Sequence, residues 1–159
     1  MKRKNVNVTI LAKDSCSLPE YACEGDSGMD LRAHFDDDEP KTKILHPGDV
    51  CLIKTGICVG LPDGYELQIR SRSGLALKWN VIVLNSPGTI DSGFRKEIGV
   101  ILCNLGKQDF VVMEGDRIAQ MVLIKVPKVK WLKVQSIDAL SITGNNADRK
   151  GGFGHTGLN

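Results

Sequence analysis

The feature that most restricts how this chain can fold is a two-residue alternation of apolar and polar side chains, repeated in short runs along its length. It begins at once: Val6, Val8 and Ile10 fall on one face of an extended segment and Asn7 and Thr9 on the other. Further strand-like runs follow at residues 50–59, 65–70, 81–84, 98–103, 110–113, 118–126 and 129–134. Turn signals separate them at close spacing, among them His46-Pro47-Gly48-Asp49, Leu61-Pro62-Asp63-Gly64 and Glu114-Gly115-Asp116. No stretch sustains a 3.6-residue apolar period for several turns, so one brief helix near residues 75–78 is all that is expected. Many short strands with frequent turns make an all-β sandwich or barrel. The sequence shows no internal repeat.

The 159 residues are 42% hydrophobic, enough for one core without disulfides or a structural metal. The strand pattern predicts a β domain over residues 1–140. From Ser141 the apolar pattern stops and glycine, asparagine and charge take over, so residues 141–159 are expected to be a flexible tail unable to fold alone. A formal charge of +2 is too mild for a nucleic-acid or membrane surface, neither of which is expected as a partner. Five cysteines without a CxxC pair argue against both a zinc site and a disulfide framework and fit a reducing cytoplasm. The basic start Met1-Lys2-Arg3-Lys4 leads into alternation rather than the apolar run of a signal peptide, and no segment is long enough to span a membrane.

Three segments carry candidate chemistry. Arg70-Ser71-Arg72-Ser73-Gly74 gathers two guanidinium groups, two hydroxyls and a glycine at an expected strand end, a set suited to phosphate oxygens or, equally, to an exposed strand edge. Asp91 follows the turn Asn85-Ser86-Pro87-Gly88 in an expected hairpin; it can poise a water or simply cap a turn by bonding its own backbone. The tail places Arg149 and Lys150 before a glycine-flanked Phe153, a composition suited to a linker or to a cover for a base and its phosphates. The acidic run Asp36-Asp37-Asp38-Glu39 reads as a solvated loop, and His34, His46 and His155 follow no metal-ligand spacing. Trp79 and Trp131 are assigned to packing or to a subunit interface.

Taken in order, five segments resemble the motifs of the trimeric dUTPase family: Ser27-Gly28-Met29-Asp30-Leu31-Arg32-Ala33, Arg72-Ser73-Gly74-Leu75-Ala76, Gly88-Thr89-Ile90-Asp91 with Phe94 and Glu97, Gly115-Asp116-Arg117-Ile118-Ala119-Gln120, and the tail around Gly152-Phe153-Gly154. The resemblance implies a jelly-roll-like β subunit in a homotrimer, three interfacial active sites, and a C-terminal tail that completes a neighbour's site. It implies hydrolysis of dUTP to dUMP and pyrophosphate, with Asp91 bonding the sugar 3'-hydroxyl and activating the water that attacks the α-phosphorus. Arg72, Ser73, Gly74 and Gln120 would stabilise the developing charge. Asn85, Gly88, Thr89, Ile90 and Gly99 would line a slot for uracil, and Phe94 would pack under the deoxyribose. Arg149, Phe153, Gly154, His155 and Thr156 would close over the triphosphate. Mg²⁺ is the implied cofactor, with Asp30 reaching it through water.

The chain departs from the family pattern at Phe94, where Tyr is usual, at Lys96, where Gly is usual, and at Asp148, which occupies the slot of the tail arginine and leaves Arg149 one residue closer to Phe153. Two other readings remain. The related dCTP deaminases share the fold but carry a glutamate where this chain has Ile101, and a catalytically silent nucleotide sensor would bind without turnover.

Overall fold

The computed structural model describes residues 5–140, which fall in two units, one running to Lys128 and one starting at Val129. The first unit is built from eleven strands and one short helix. In chain order these are β1 (Thr9–Ala12), β2 (Gly28–Arg32), β3 (Thr42–Leu45), β4 (Val50–Lys54), β5 (Ile57–Gly60), β6 (Tyr65–Arg70), α1 (Ser73–Trp79), β7 (Val81–Val83), β8 (Gly88–Ile90), β9 (Gly99–Asn104), β10 (Phe110–Met113) and β11 (Arg117–Lys125). All pairings are antiparallel: a four-stranded sheet in the order β2-β11-β6-β8, a three-stranded sheet β4-β9-β7, and the two-stranded pairs β1-β5 and β10-β3.

Alternation explains which face each strand buries. Leu67 and Ile69 of β6 turn inward while Glu66, Gln68 and Arg70 turn outward. Leu31, Leu45, Val100, Leu102, Ile118 and Val112 are almost wholly excluded from solvent and form the centre of the core. In β11 the alternation slips, because a bulge between Arg117 and Ala119 leaves both Ile118 and Ala119 buried. A bulge re-aims the side chains beyond it, and here it brings Gln120 opposite Asp30 of β2 and Arg70 of β6.

The expected strand over residues 50–59 is two strands, because Gly56 turns the chain with φ of 69°. Pairing begins at Thr9, not at Val6. Residues 129–134, expected as a strand, have no strand pairing, and the second unit's described residues show only a single 3₁₀ turn at Ile137–Ala139. The expected hairpin around Asn85 is also different: β7 pairs with β9 and β8 with β6, so residues 84–87 carry the chain from one sheet to the other. Residues 84–87 of this corner are exposed.

Two assignments gain substance. Trp79, half-exposed, lies with its ring centroid 5.9 Å from that of Phe110. The acidic run is more than a solvated loop. Asp37 and Asp38 are exposed, but Asp36 accepts from both Lys13 and Lys54, and Glu39 pairs with Lys54 at 3.2 Å. These bonds hold the Asp36 carboxyl far below the ordinary carboxylate range and push Lys54 up to about 12.

Candidate functional site

The outer face of the four-stranded sheet is polar. Asp30, Gln120 and Arg70 are direct partners across β2, β11 and β6, so their side chains stand in one row on that face. Asp30 is the charge centre of the row. One of its oxygens accepts from Arg72 Nε at 2.9 Å and the other faces Arg117 Nη1 at 3.4 Å, while Arg72 Nη1 also donates to the Arg117 carbonyl at 3.1 Å. A carboxylate held by two guanidinium groups fixes their direction and leaves part of each guanidinium fork free for an anion. Arg70 is already engaged, donating twice to Gln68 Oε1 at 3.1 and 2.6 Å.

Gln120 donates through Nε2 to the Ser71 carbonyl at 3.0 Å. Its Oε1 lies 2.6 Å from where a Cβ on Gly28 would stand, so only glycine leaves that amide its place. Together with Asp26, Ser27 and Arg70, these residues line an open cavity of about 330 Å³. The Ser71 hydroxyl, grouped by its sequence with the phosphate donors, instead accepts from the Val83 N–H at 2.9 Å and ties the end of β6 to β7. Ser73 and Gly74 begin α1 and are exposed, and a Cβ at Gly74 would meet nothing within 4 Å.

Asp91 follows β8 directly and is exposed. It does not cap a turn with its side chain. Among the described residues its carboxylate has no hydrogen bond or ion pair, and only its backbone carbonyl is used, accepting from the Phe94 N–H at 3.0 Å. Phe94 is half-buried against the core. Thr89 is exposed on the polar face in register with Gln68, whereas Ile90 points into the core, which leaves it only its backbone for a ligand. Gly88 is buried with Asn85 Nδ2 3.3 Å from the position of its missing Cβ. Gly99 starts β9, and Leu52 Cδ1 lies 2.6 Å from its missing Cβ.

One chain does not bring these groups to a single point. Ile90 pairs with Leu67, so Asp91 leaves the sheet near the level of Glu66, four residues down β6 from Arg70. At about 3.3 Å per residue that is about 13 Å from the Asp30-Gln120-Arg70 row. Arg149, Phe153, Gly154, His155 and Thr156 lie outside the described residues. No group of three or more His, Cys, Asp or Glu among the described residues could hold a metal ion. His34 and His46 are instead paired with Glu114 at 3.1 Å and with Asp109 at 2.8 Å, and the latter raises the His46 pKa.

Sequence reasoning gave no separate role to Arg117, which shares Asp30 with Arg72. The signal was present in the segment Gly115-Asp116-Arg117, but only the folded side-chain geometry shows that Arg117 and Asp30 meet. No helix is long and apolar enough to cross a membrane among the described residues.

Comparison with known proteins identifies the family and the fold. The family model described as dUTPase matches residues 14–157. The deoxyuridine 5'-triphosphate nucleotidohydrolase of Anaplasma marginale is 50% identical over 140 residues, covering 88% of each chain. That of Chlamydia muridarum is 54% identical over 141 residues, covering 89% of this chain and 91% of its own. Among solved structures, the dUTPase of phage phi11 of S. aureus superposes with a TM-score of 0.73 at 22% identity, over 84% of this chain and 99% of that one. A variant of the Staphylococcus bacteriophage 80alpha dUTPase with dUpNHpp gives 0.73 at 20% identity, over 83% and 98%. The match along nearly the whole chain, at about half identity to full-length relatives, places this protein in the dUTPase family.

Proposed function

We propose that the protein hydrolyses dUTP to dUMP and pyrophosphate, and that Asp91 is its working carboxylate. The single observation that carries the residue assignment is the state of Asp91: exposed, three residues before the half-buried Phe94, and without a partner among the described residues that would hold its carboxylate elsewhere. A base must have its lone pairs available within reach of the proton that it takes. In the proposed step Asp91 takes a proton from water, the water oxygen forms a bond to the α-phosphorus, and the bond from that phosphorus to the bridging oxygen breaks to release pyrophosphate.

The remaining residues divide the work by chemistry. Arg72, with the Ser73 hydroxyl and the open approach over Gly74, faces the phosphate oxygens, and Gln120 adds an amide on the same side. The corner over Asn85, Gly88, Thr89 and Ile90, with Gly99, offers backbone donors and acceptors to the uracil edge; cytosine, with a donor where uracil has an acceptor, leaves buried groups unpaired. Phe94 supplies a flat apolar face for the deoxyribose and leaves no room for a 2'-hydroxyl. Arg149, Phe153, Gly154, His155 and Thr156 close the site as part of a tail spanning residues 141–159 beyond a β domain of residues 1–140.

Mg²⁺ is expected with the substrate. Both Asp30 oxygens are already engaged by arginines, so the donor set suits contact through water and not a protein cage. The ion supplies neutralising charge on the triphosphate.

The distance between Asp91 and the Asp30 row supports a site shared between copies in a homotrimer. The outer face of the β4-β9-β7 sheet supports such an assembly too: Val50, Leu52, Ile82, Leu84, Ile101 and Cys103 lie on it, and Val50, Leu52 and Leu84 are at least half-exposed in the single chain. The reaction limits uracil in DNA and supplies dUMP, a role for the cytoplasm. The test is pyrophosphate release from each deoxynucleoside triphosphate with Mg²⁺. Strong preference for dUTP is expected, with kcat falling about a hundredfold or more in Asp91→Asn; equal turnover of dCTP, or an unaffected variant, refutes the reading.

A further inference from the structure

Residues 91–98 join β8 to β9, and the first seven of them, residues 91–97, carry both Asp91 and Phe94. Within this loop the Phe94 N–H bonds the Asp91 carbonyl, and Arg95 folds back to donate to the Ser92 carbonyl at 2.6 Å and the Phe94 carbonyl at 2.9 Å. These bonds make the loop a compact piece whose orientation depends on how its two ends are held. Its upstream end is fixed by the pairing of β8 with β6. Its downstream end is fixed by Glu97, a side chain that does not face the candidate site.

Glu97 Oε1 accepts from the Gly56 N–H at 2.7 Å, and Oε2 lies 3.7 Å from Lys13 Nζ. The receiving point is unusually well defined. Gly56 has a φ of 69°, and a Cβ there would stand 2.2 Å from Cys16 Sγ and 3.2 Å from the His34 ring. Its carbonyl accepts from the Lys13 N–H at 3.0 Å. Next to it, the buried Thr55 hydroxyl donates to the Ile98 carbonyl at 2.7 Å, and the Ile98 N–H donates to Ile57. Lys13 in turn is held by Asp36, which also takes Lys54. A charged acceptor on a backbone N–H in a conformation other residues avoid is a strong and directional tie.

We propose that Glu97 is a positioning residue: by gripping the Gly56 N–H and Lys13 it sets the orientation of the 91–97 loop, and with it the placement of Asp91 and Phe94. The proposal rests on the assignment of Asp91 as the base. Small displacements of a reacting group cost large factors in rate, so the effect belongs in kcat more than in KM.

The experiment compares Glu97→Ala, Glu97→Gln and Lys13→Met in the full-length protein with dUTP and Mg²⁺, reading kcat, KM and hydrogen exchange of residues 91–96. Glu97→Ala is expected to lower kcat about tenfold or more with KM changed by less than about threefold. Glu97→Gln keeps an acceptor for Gly56 and should restore kcat to within about threefold. Lys13→Met, which leaves the Gly56 bond intact, should fall between them. Exchange in residues 91–96 should rise in Glu97→Ala while β6 and β11 stay protected. Unchanged kcat in Glu97→Ala, equal loss in Glu97→Gln, or exchange that rises across all strands overturns the proposal. If Glu97→Ala does not fold, a Lys13→Met variant with wild-type kcat and wild-type exchange in residues 91–96 overturns it as well. A wild-type protein that releases no pyrophosphate from dUTP would instead refute the function itself.

Discussion

Asp91 and Asp36 show how differently two carboxylates can be used in one small domain. Among the described residues Asp91 has no partner, which suits the base proposed for it, while Asp36 is saturated by Lys13 and Lys54. The folded-state pKa of Asp36 lies below its unfolded value, so its contribution to stability is present above about pH 4 and is lost as the pH falls from there. Lys54, raised to about 12, contributes below its unfolded value and loses that contribution as the pH rises toward 12. Asp36→Asn should therefore lower Tm at pH 7, with the difference from wild type shrinking as the pH falls below about 4 and in high salt, where exposed ion pairs are screened. A Tm difference of the same size at pH 3 and pH 7 would contradict this account of the network. None of this was visible in the sequence, where Asp36-Asp37-Asp38-Glu39 looks like a uniform acidic loop. Only the fold brings Lys13 and Lys54 to the first and last of the four.

Strand β6, whose apolar residues alternate cleanly, and β9 and β10, short apolar runs bounded by turns, were legible in the sequence, as was the short α1. β2 and β8 were not, because Gly28, Asp30 and Arg32 in one and Gly88 and Thr89 in the other leave too few apolar positions for a strand pattern to show. The bulge in β11 was equally hidden, since one extra residue leaves no mark in a run where both faces are apolar. Yet that bulge determines which residue stands beside Asp30. The most sensitive check at this scale is Gly28→Ala. Its Cβ would stand 2.6 Å from Gln120 Oε1, the far end of a flexible side chain, so the fold can absorb it at a cost below about 1 kcal/mol. The Gln120 amide cannot then keep its bond to the Ser71 carbonyl, and turnover should fall several-fold while Tm changes by only a few degrees. Wild-type kcat in this variant would mean that the Gln120 position is not used.

The family, the β architecture and the order of the site segments could all be read along the chain because each is carried by consecutive residues. The relation between the segments could not. Arg72 and Asp91 lie fewer than twenty residues apart in sequence, but β8 runs away from the Asp30 row, and a single chain leaves the proposed base and the proposed phosphate donors about 13 Å apart. In the proposed reaction the working unit is an assembly in which one copy supplies Asp91 and another supplies Arg72 and Gln120. Mixing two inactive variants tests this directly. Asp91→Asn and Arg72→Ala are each expected to be nearly inactive, and after dissociation and reassembly at equal amounts about a quarter of the sites should combine an intact Asp91 with an intact Arg72 from a different copy. Recovery of about a quarter of the wild-type rate of dUTP hydrolysis is the predicted result; a reassembled mixture no more active than its parents would contradict the shared site and the placement of Asp91 within it.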